Sequence, residues 1–99
     1  MNLKEIKNIN WPHNWKPVED QAILRELRRE ISPLHFLFWK TVTVVARRLD
    51  QDDILVYIKN YQKPFATVHL TWSKREWTSK RPRTKYFDNI SNWLKESIE

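Results

Sequence analysis

Alternating apolar and polar positions mark three strands in the middle of the chain, over residues 40–49, 54–59 and 65–72. Successive side chains of a strand point to opposite faces, so the alternation sorts these residues into two sets. Short turns at 50–53 and 60–64 predict that neighbouring strands run antiparallel. The pattern therefore predicts a three-stranded antiparallel meander.

One face of this predicted sheet is almost wholly apolar and must be buried. It carries Val42, Val44, Ala46, Ile54, Val56, Ile58, Ala66, Val68, Leu70 and Trp72. The opposite face is mixed and is expected to stay half-solvated. There Arg47, Tyr57, Phe65 and His69 present rings and cations together, as sheets that bind single strands do. Such an open sheet face also suits protein binding, and an ordinary exposed sheet looks the same.

Helical spacing of apolar residues predicts two helices, over residues 17–31 and 86–98. Pro17 suits the first turn of the first helix. Both helices are expected to cover the apolar sheet face, because that face needs a partner layer. The predicted fold is a two-layer α+β sandwich of order αβββα, and residues 1–99 form a single domain.

Two further stretches are rich in aromatic rings. Residues 1–16 show no period and are predicted to form an irregular N-terminal arm that Trp11 and Trp15 pin to the core. Residues 34–39 have too many apolar side chains for an exposed loop, so they are predicted to tuck under the first helix. His35 in that company is expected to be a hydrogen-bonded core residue.

The chain contains no glycine and no cysteine. Phosphate-binding loops and nucleophile elbows need glycine, and zinc–thiolate sites need cysteine, so these classes of site are not expected. Any turn with positive φ must use Asn or Asp, such as Asn60 or Asp52. His13, His35 and His69 show no metal-ligand spacing. We therefore predict no metal, no cofactor and no catalytic residues, and a protein that is not an enzyme.

Positive charge is concentrated in residues 65–85. The chain has a net charge of +6, and this stretch alone, with six basic residues and one acidic residue, carries +5. The six cations are Lys74, Arg75, Lys80, Arg81, Arg83 and Lys85, and Trp77 lies among them. Cations neutralise phosphates, and an exposed ring can stack on an unpaired base. The loop over 73–85 is therefore predicted to engage an acidic partner, unless it is simply solvated.

Two functions follow as hypotheses. The leading one is a small non-enzymatic binding module whose basic loop engages an acidic macromolecule, either nucleic acid or an acidic protein surface. The alternative is a protein-interaction module of the immunity, inhibitor or accessory type that uses the open sheet face. The first seven residues have no apolar run, and no stretch reaches the roughly 18–20 apolar residues of a membrane span, so a cytoplasmic protein without membrane contact is expected.

The string Val68-His69-Leu70-Thr71-Trp72-Ser73 carries a resemblance, together with the acidic turn at 52–53 and the terminal helix that contains Trp93. In these features the chain resembles small, mostly uncharacterised bacterial proteins with a similar string at a strand end. Those proteins usually have Gly after the Ser, where this chain has Lys74. The resemblance implies a bacterial cytosolic module and assigns no functional residues.

Overall fold

Five antiparallel strands form one sheet in a computed structural model of the chain, which describes residues 10–18, 21–32, 35–71 and 83–97. The strands follow one another across the sheet in chain order: β1 (Trp15–Pro17), β2 (Val42–Arg48), β3 (Asp53–Ile58), β4 (Phe65–His69) and β5 (Thr84–Phe87). Two α-helices, α1 (Gln21–Glu30) and α2 (Ile90–Ser97), and a 3-10 helix (Phe36–Trp39) accompany the sheet. The α+β class is thus as predicted.

The predicted three-stranded meander is wrong, because a further short strand flanks it at each edge. β1 adds to β2 with Lys16 opposite Arg47, and β5 adds to β4 with Lys85 opposite Thr67. Pro17 suits an edge strand as well as a first helical turn, since neither position uses its missing N–H. β5 has only four residues, too few to show an alternation between the basic stretch and the helix that follows.

The two helices lie on opposite faces of the sheet, so the predicted two-layer arrangement with both helices on one face is also wrong. Ile23 and Leu27 of α1 pack in one buried cluster with most of the strand residues that alternation predicted to be buried, such as Val56. We call these strand residues the apolar face set. Ile90 and Trp93 of α2 pack in a second buried cluster. That second cluster contains Trp15, Val45, Ala46, Leu55, Phe65 and Phe87. The face that was expected to be open is therefore partly covered by α2.

A β-bulge in β2 changes which face its last residues occupy. Val44 pairs with Val56 and Ala46 pairs with Leu55, so Val45 is one extra residue against β3. Beyond the bulge Ala46 lies in the α2-side cluster instead of the α1 side, where strict alternation places it. The carbonyl of Val45 instead accepts a hydrogen bond from the Val18 N–H at 3.0 Å, which joins the bulge to the end of β1.

Both helices are shorter than the periodicity predicts. α1 begins at Gln21 because residues 15–17 are hydrogen-bonded to β2 as a strand. α2 begins at Ile90 because residues 84–87 belong to β5. The Asn89 side chain accepts a hydrogen bond from the Asn92 N–H at 2.8 Å and so caps the exposed donors at the start of α2.

The N-terminal rings behave as predicted. Trp15 is buried, and both Trp11 and Trp15 contact Trp93 edge to face, so they hold this part of the chain against α2. Without glycine, positive φ angles in the described residues fall on asparagine, at Asn14 (73°) and Asn60 (59°). Asn60 thus confirms the expected substitute for glycine, whereas Asp52 does not take that conformation.

Residues 35–39, the described part of the aromatic connector, are only partly buried. His35 is a hydrogen-bonded core residue, as predicted: its Nδ1 accepts from the Leu37 N–H and its Nε2 lies 3.0 Å from Thr84 Oγ1. Leu37 is also buried. Phe36 and Trp39, by contrast, are 40% and 72% exposed. For these two rings the predicted burial under α1 is wrong, and they reach the surface instead.

Candidate functional site

A surface cleft of about 330 Å³ opens at one end of the sheet, beside the place where the chain enters β5. It is lined by Gln51, Asp53, Thr67, His69, Arg83 and Lys85, and we call it the polar cleft. Every one of these side chains can form hydrogen bonds, and two of them are cations. A cleft of this composition is suited to a polar or anionic ligand.

Strand pairing brings these residues together. Asp53 lies opposite His69 across β3 and β4, and Thr67 lies opposite Lys85 across β4 and β5. Cross-strand partners share one face of a sheet, so the register places all four on the same side. The His69 N–H also donates to the Arg83 carbonyl at 3.0 Å, which holds the start of β5 beside the end of β4.

His69 and Asp53 form a directly bonded pair within the polar cleft. His69 Nδ1 lies 2.6 Å from Asp53 Oδ1, and the carboxylate acts as acceptor when Nδ1 carries the hydrogen. This contact fixes the orientation of the imidazole ring, because Nδ1 is bonded to Asp53. The His69 side chain is still 54% exposed, so solvent and ligands can reach it.

Lys85 is held by an exposed ion pair. Its Nζ donates to both carboxylate oxygens of Glu96 on α2, at 2.7 and 2.5 Å, and lies 5.6 Å from the centre of the Phe87 ring. The Lys85 and Glu96 side chains are 62% and 52% exposed, so water and salt screen their attraction. Such a pair can open to accept a ligand anion at low cost.

Two sets of sequence-predicted site residues meet at this cleft. Arg83 and Lys85 come from the predicted basic loop, and His69 comes from the predicted open sheet face. The other loop residues, Lys74, Arg75, Trp77, Lys80 and Arg81, lie outside the described residues, as does Trp72, which was predicted to be buried. The structure thus places His69 in the same cleft as Arg83 and Lys85, an arrangement that the sequence pattern did not predict.

The remaining residues predicted for the open sheet face are not brought into the cleft. Phe65 is 1% exposed, and Tyr57 is half-buried against it with 5.6 Å between ring centres. Arg47 pairs with Ile54 on the α1 side, because the bulge at Val45 shifts its parity. The expectation of one open surface formed by Arg47, Tyr57, Phe65 and His69 is therefore wrong.

Asp53 is the site residue that the sequence pattern misses. It reads as the last residue of an acidic turn, whereas it is the first residue of β3. Extending the β3 alternation back from Leu55 by two positions is the signal that would have placed it on the cleft side. Gln51 and Thr67 are missed as well. Strand parity places Thr67 on the same face as His69, whereas nothing in the sequence context of Gln51 marks it.

Neither a cluster of metal ligands nor a membrane-spanning helix is found among the residues that the structure describes. In residues 10–18, 21–32, 35–71 and 83–97, no three His, Asp or Glu residues are grouped in a way that could hold a metal ion. None of the helices in these same ranges has the length and apolar character needed to cross a membrane.

Comparison of the chain with protein-family models, with curated proteins and with solved structures gives no match. The resemblance at residues 68–73 therefore stays a prediction. The chemistry of the polar cleft is the basis on which a function can be proposed.

Proposed function

We propose that this chain is a non-enzymatic binding module that engages an acidic macromolecule, with nucleic acid as the favoured ligand, through the polar cleft and the basic stretch that precedes it in the sequence. The observation that carries the proposal is the position of Arg83 and Lys85. Both line one cleft, at the point where the most basic stretch of the sequence rejoins the sheet.

The charge balance of the cleft supports an anionic ligand. Arg83 and Lys85 are its two permanent cations. The lining carboxylate, Asp53, is engaged by His69, and Lys85 is paired with Glu96 beside the cleft, in an exposed ion pair that a ligand anion can replace. The guanidinium of Arg83 can bond two phosphate oxygens at once, whereas Lys85 acts as a mobile point charge. A phosphate group that contacts both would release counterions, which is the main driving term for nucleic-acid binding.

Chain connectivity adds further cations. Arg81 precedes Arg83 by two residues in the sequence. Lys74, Arg75 and Lys80 belong to the same connection between β4 and β5, as does the ring of Trp77. The stretch of sequence that leads into the cleft at Arg83 is therefore rich in cations that suit the same anionic ligand.

The protein-interaction alternative loses most of its proposed surface. It relied on Tyr57, Phe65 and His69 side by side on an open sheet, whereas Phe65 is buried beneath α2. An acidic protein that binds the polar cleft is still a distinct ligand class. It would use the same cations, so the experiment must separate it from nucleic acid.

The test is a titration of labelled single-stranded and duplex oligonucleotides, followed by fluorescence anisotropy at several salt concentrations. We expect binding at about 50 mM salt that weakens steeply as salt rises. Arg83→Gln and Lys85→Gln should each weaken binding and reduce the slope of log K against log salt by about 0.7 for a single strand.

Lys16→Gln is the matched control, because Lys16 is an exposed cation in β1 at the opposite edge of the sheet. It removes one positive charge without touching the cleft, and we expect it to leave the affinity nearly unchanged. Absence of binding at low salt would overturn the proposal. An equal loss for Lys16→Gln and Arg83→Gln would show that net charge, and not the cleft, drives the binding.

A further inference from the structure

Three aromatic rings, Phe36, Tyr61 and Tyr86, lie together with Lys40 on the α1 side of the sheet, near β5. We call these residues the aromatic patch, together with Trp39, which lies three residues after Phe36 in the 3-10 helix. The ring centre of Phe36 lies 4.8 Å from that of Tyr61 and 5.8 Å from that of Tyr86. The centres of Tyr61 and Tyr86 are 6.2 Å apart, which closes the triangle.

The fourth ring belongs to the same surface because of the 3-10 helix. Residues three apart in a 3-10 helix lie on the same side of it. Phe36 and Trp39 are the first and last residues of this helix, so their side chains point the same way. They are also the two rings of this helix that are most exposed. The ring of Phe38, which is half-buried, packs edge to face against Trp39 with 4.9 Å between centres and so supports it from below.

Lys40 gives the patch a positive charge. Its Nζ lies 5.1 Å from the centre of the Phe36 ring and 5.5 Å from the centre of the Tyr61 ring. A cation above two rings is attracted to their electron-rich faces and can also bind a phosphate that arrives beside them. Exposed rings with an adjacent cation are what a nucleotide needs: a surface for the base and a charge for the backbone.

The aromatic patch and the polar cleft are separated by a single strand. Lys85 and Tyr86 are consecutive in β5, so their side chains point to opposite faces of the sheet. Lys85 lines the polar cleft, while Tyr86 packs on the α1-side cluster. In the sheet order, β5 is an edge strand with β4 as its neighbour. A ligand that passes over this edge therefore meets cations on one side and rings on the other.

We infer that the aromatic patch is a base-stacking surface, and that the ligand of this protein is single-stranded nucleic acid that crosses the β5 edge. Its phosphates contact Arg83 and Lys85 in the polar cleft, and its bases stack on Phe36, Trp39 and Tyr86. Duplex nucleic acid keeps its bases stacked on one another and cannot offer them to the rings. This inference rests on the proposed function and narrows it to one ligand class.

The test compares two labelled single strands of equal length and charge, about 10 nucleotides long, one with normal bases and one in which every position is abasic. We expect the full-length chain to bind the strand with bases at least five-fold more tightly, because stacking adds to a phosphate contribution that both strands share. A duplex of the same sequence should bind more weakly than the strand with bases.

Variants separate the two surfaces. Trp39→Ala and Phe36→Leu should each reduce the preference for the strand with bases, while the affinity for the abasic strand changes less than about two-fold. Arg83→Gln should lower the affinity for the strand with bases and for the abasic strand by the same factor. Leu49→Ala removes a different exposed apolar side chain, 53% exposed in the protein, and should leave the preference intact.

The outcomes also distinguish the two proposals. Equal affinity for the two single strands, or tighter binding of the duplex, would overturn the base-stacking surface and leave the proposed function standing. Absence of binding to either strand would overturn both. Tighter binding of polyglutamate of matched charge than of the strand with bases would assign the cleft to acidic protein and overturn the inference.

Discussion

The indole of Trp93 meets the indole of Trp15 edge to face, with 5.0 Å between ring centres and 87° between ring planes. Trp11 makes a second edge contact with Trp93 at 5.7 Å. Trp93 belongs to α2 and is fully buried, while Trp15 belongs to β1 at the far edge of the sheet. The contact thus joins the first strand to the last helix across the face that also carries the polar cleft.

We expect Trp93→Ala to lower the free energy of unfolding by about 3–5 kcal/mol, as large aromatic truncations in cores do. The loss combines the apolar area of the indole with its two edge contacts, which add roughly 0.5–1.5 kcal/mol each beyond area. Urea unfolding followed by circular dichroism measures this loss. Trp39→Ala is the matched control, because that indole is mostly exposed, and it should change stability by less than about 0.5 kcal/mol. Similar losses for both variants would contradict the placement of Trp93 at the centre of the core.

Glu26 is expected to make stability fall with rising pH. Burial, followed by a hydrogen bond to the Glu30 carboxyl, raises the pKa of Glu26 above its ordinary value of 4.5, against the opposing effect of Arg29. The folded chain therefore binds this proton more tightly than the unfolded chain does. This contribution is present below pH 4.5 and is lost as the pH rises through the folded pKa.

Glu26→Gln removes that titration, so the unfolding free energy of the variant relative to the parent should increase from about pH 4 to about pH 7. Urea unfolding at both pH values checks it. Asp50→Asn provides a comparison of opposite sign, because the Arg48 guanidinium lowers the pKa of Asp50. The stabilising effect of the Asp50 carboxylate is present at neutral pH and is lost as the pH falls through the pKa of Asp50 in the folded chain. A relative stability of Glu26→Gln that falls with pH would show that the proton is not held there.

Asn60 is expected to tolerate glycine better than alanine. Its φ of 59° lies in the left-handed region, which costs a residue with a Cβ roughly 1–2 kcal/mol unless it is Asn or Asp. Asn60→Ala should lower the unfolding free energy by about 1 kcal/mol, and Asn60→Gly should lower it by less. Thermal unfolding measures both. Asn92→Ala, at an exposed position within α2, is the control and should be neutral or slightly stabilising, because alanine favours helix.

Glu96→Gln is expected to strengthen nucleic-acid binding. The variant releases Lys85 from its exposed ion pair and removes a negative charge beside the polar cleft. Affinity for a single-stranded oligonucleotide at low salt should rise, while Lys85→Gln lowers it. Because exposed ion pairs contribute about 0–1 kcal/mol, the unfolding free energy should change little. A weaker complex for Glu96→Gln would mean that Glu96 positions Lys85 for the ligand rather than competing with it.

The central part of the fold is predictable from alternation alone. The apolar face set of β3 and β4 is buried against α1 as predicted, since parity there follows directly from the pattern. The pairing is less predictable. Tight turns between the strands would bring Leu55 opposite His69, whereas Leu55 lies opposite Thr67, two residues away. A shift of two residues keeps every side chain on its face, so the pattern cannot detect it.

The edges and the second helix layer were not predictable in the same way. Strands of three and four residues, such as β1 and β5, carry too few positions for a period to appear. Ile90 and Trp93 suit burial against either face, and only the tertiary contact with Leu55 and Phe65 shows that α2 covers the second one. Local patterns contain no information about that choice.

The candidate site was predicted in part. Charge density identified Arg83 and Lys85, and strand parity identified His69, because both are properties of the local sequence. Phe65 has the same parity as His69 and yet is buried, since α2 covers one end of that face and leaves the other end open. Exposure along one strand face thus depends on a helix more than 20 residues away in sequence.

Because of the bulge at Val45, the number of residues in β2, and not their type, determines which face of the sheet a later charged side chain occupies. Arg47 faces α1 because one additional residue precedes it, and Arg48, which lies opposite Trp15, therefore faces the other side of the sheet. In evolution, loss of a single codon at this position would leave the composition and net charge of the protein almost untouched. It would nevertheless exchange the surfaces on which neighbouring arginines are displayed, so two close descendants of this chain could differ in ligand preference without a change in any charged residue.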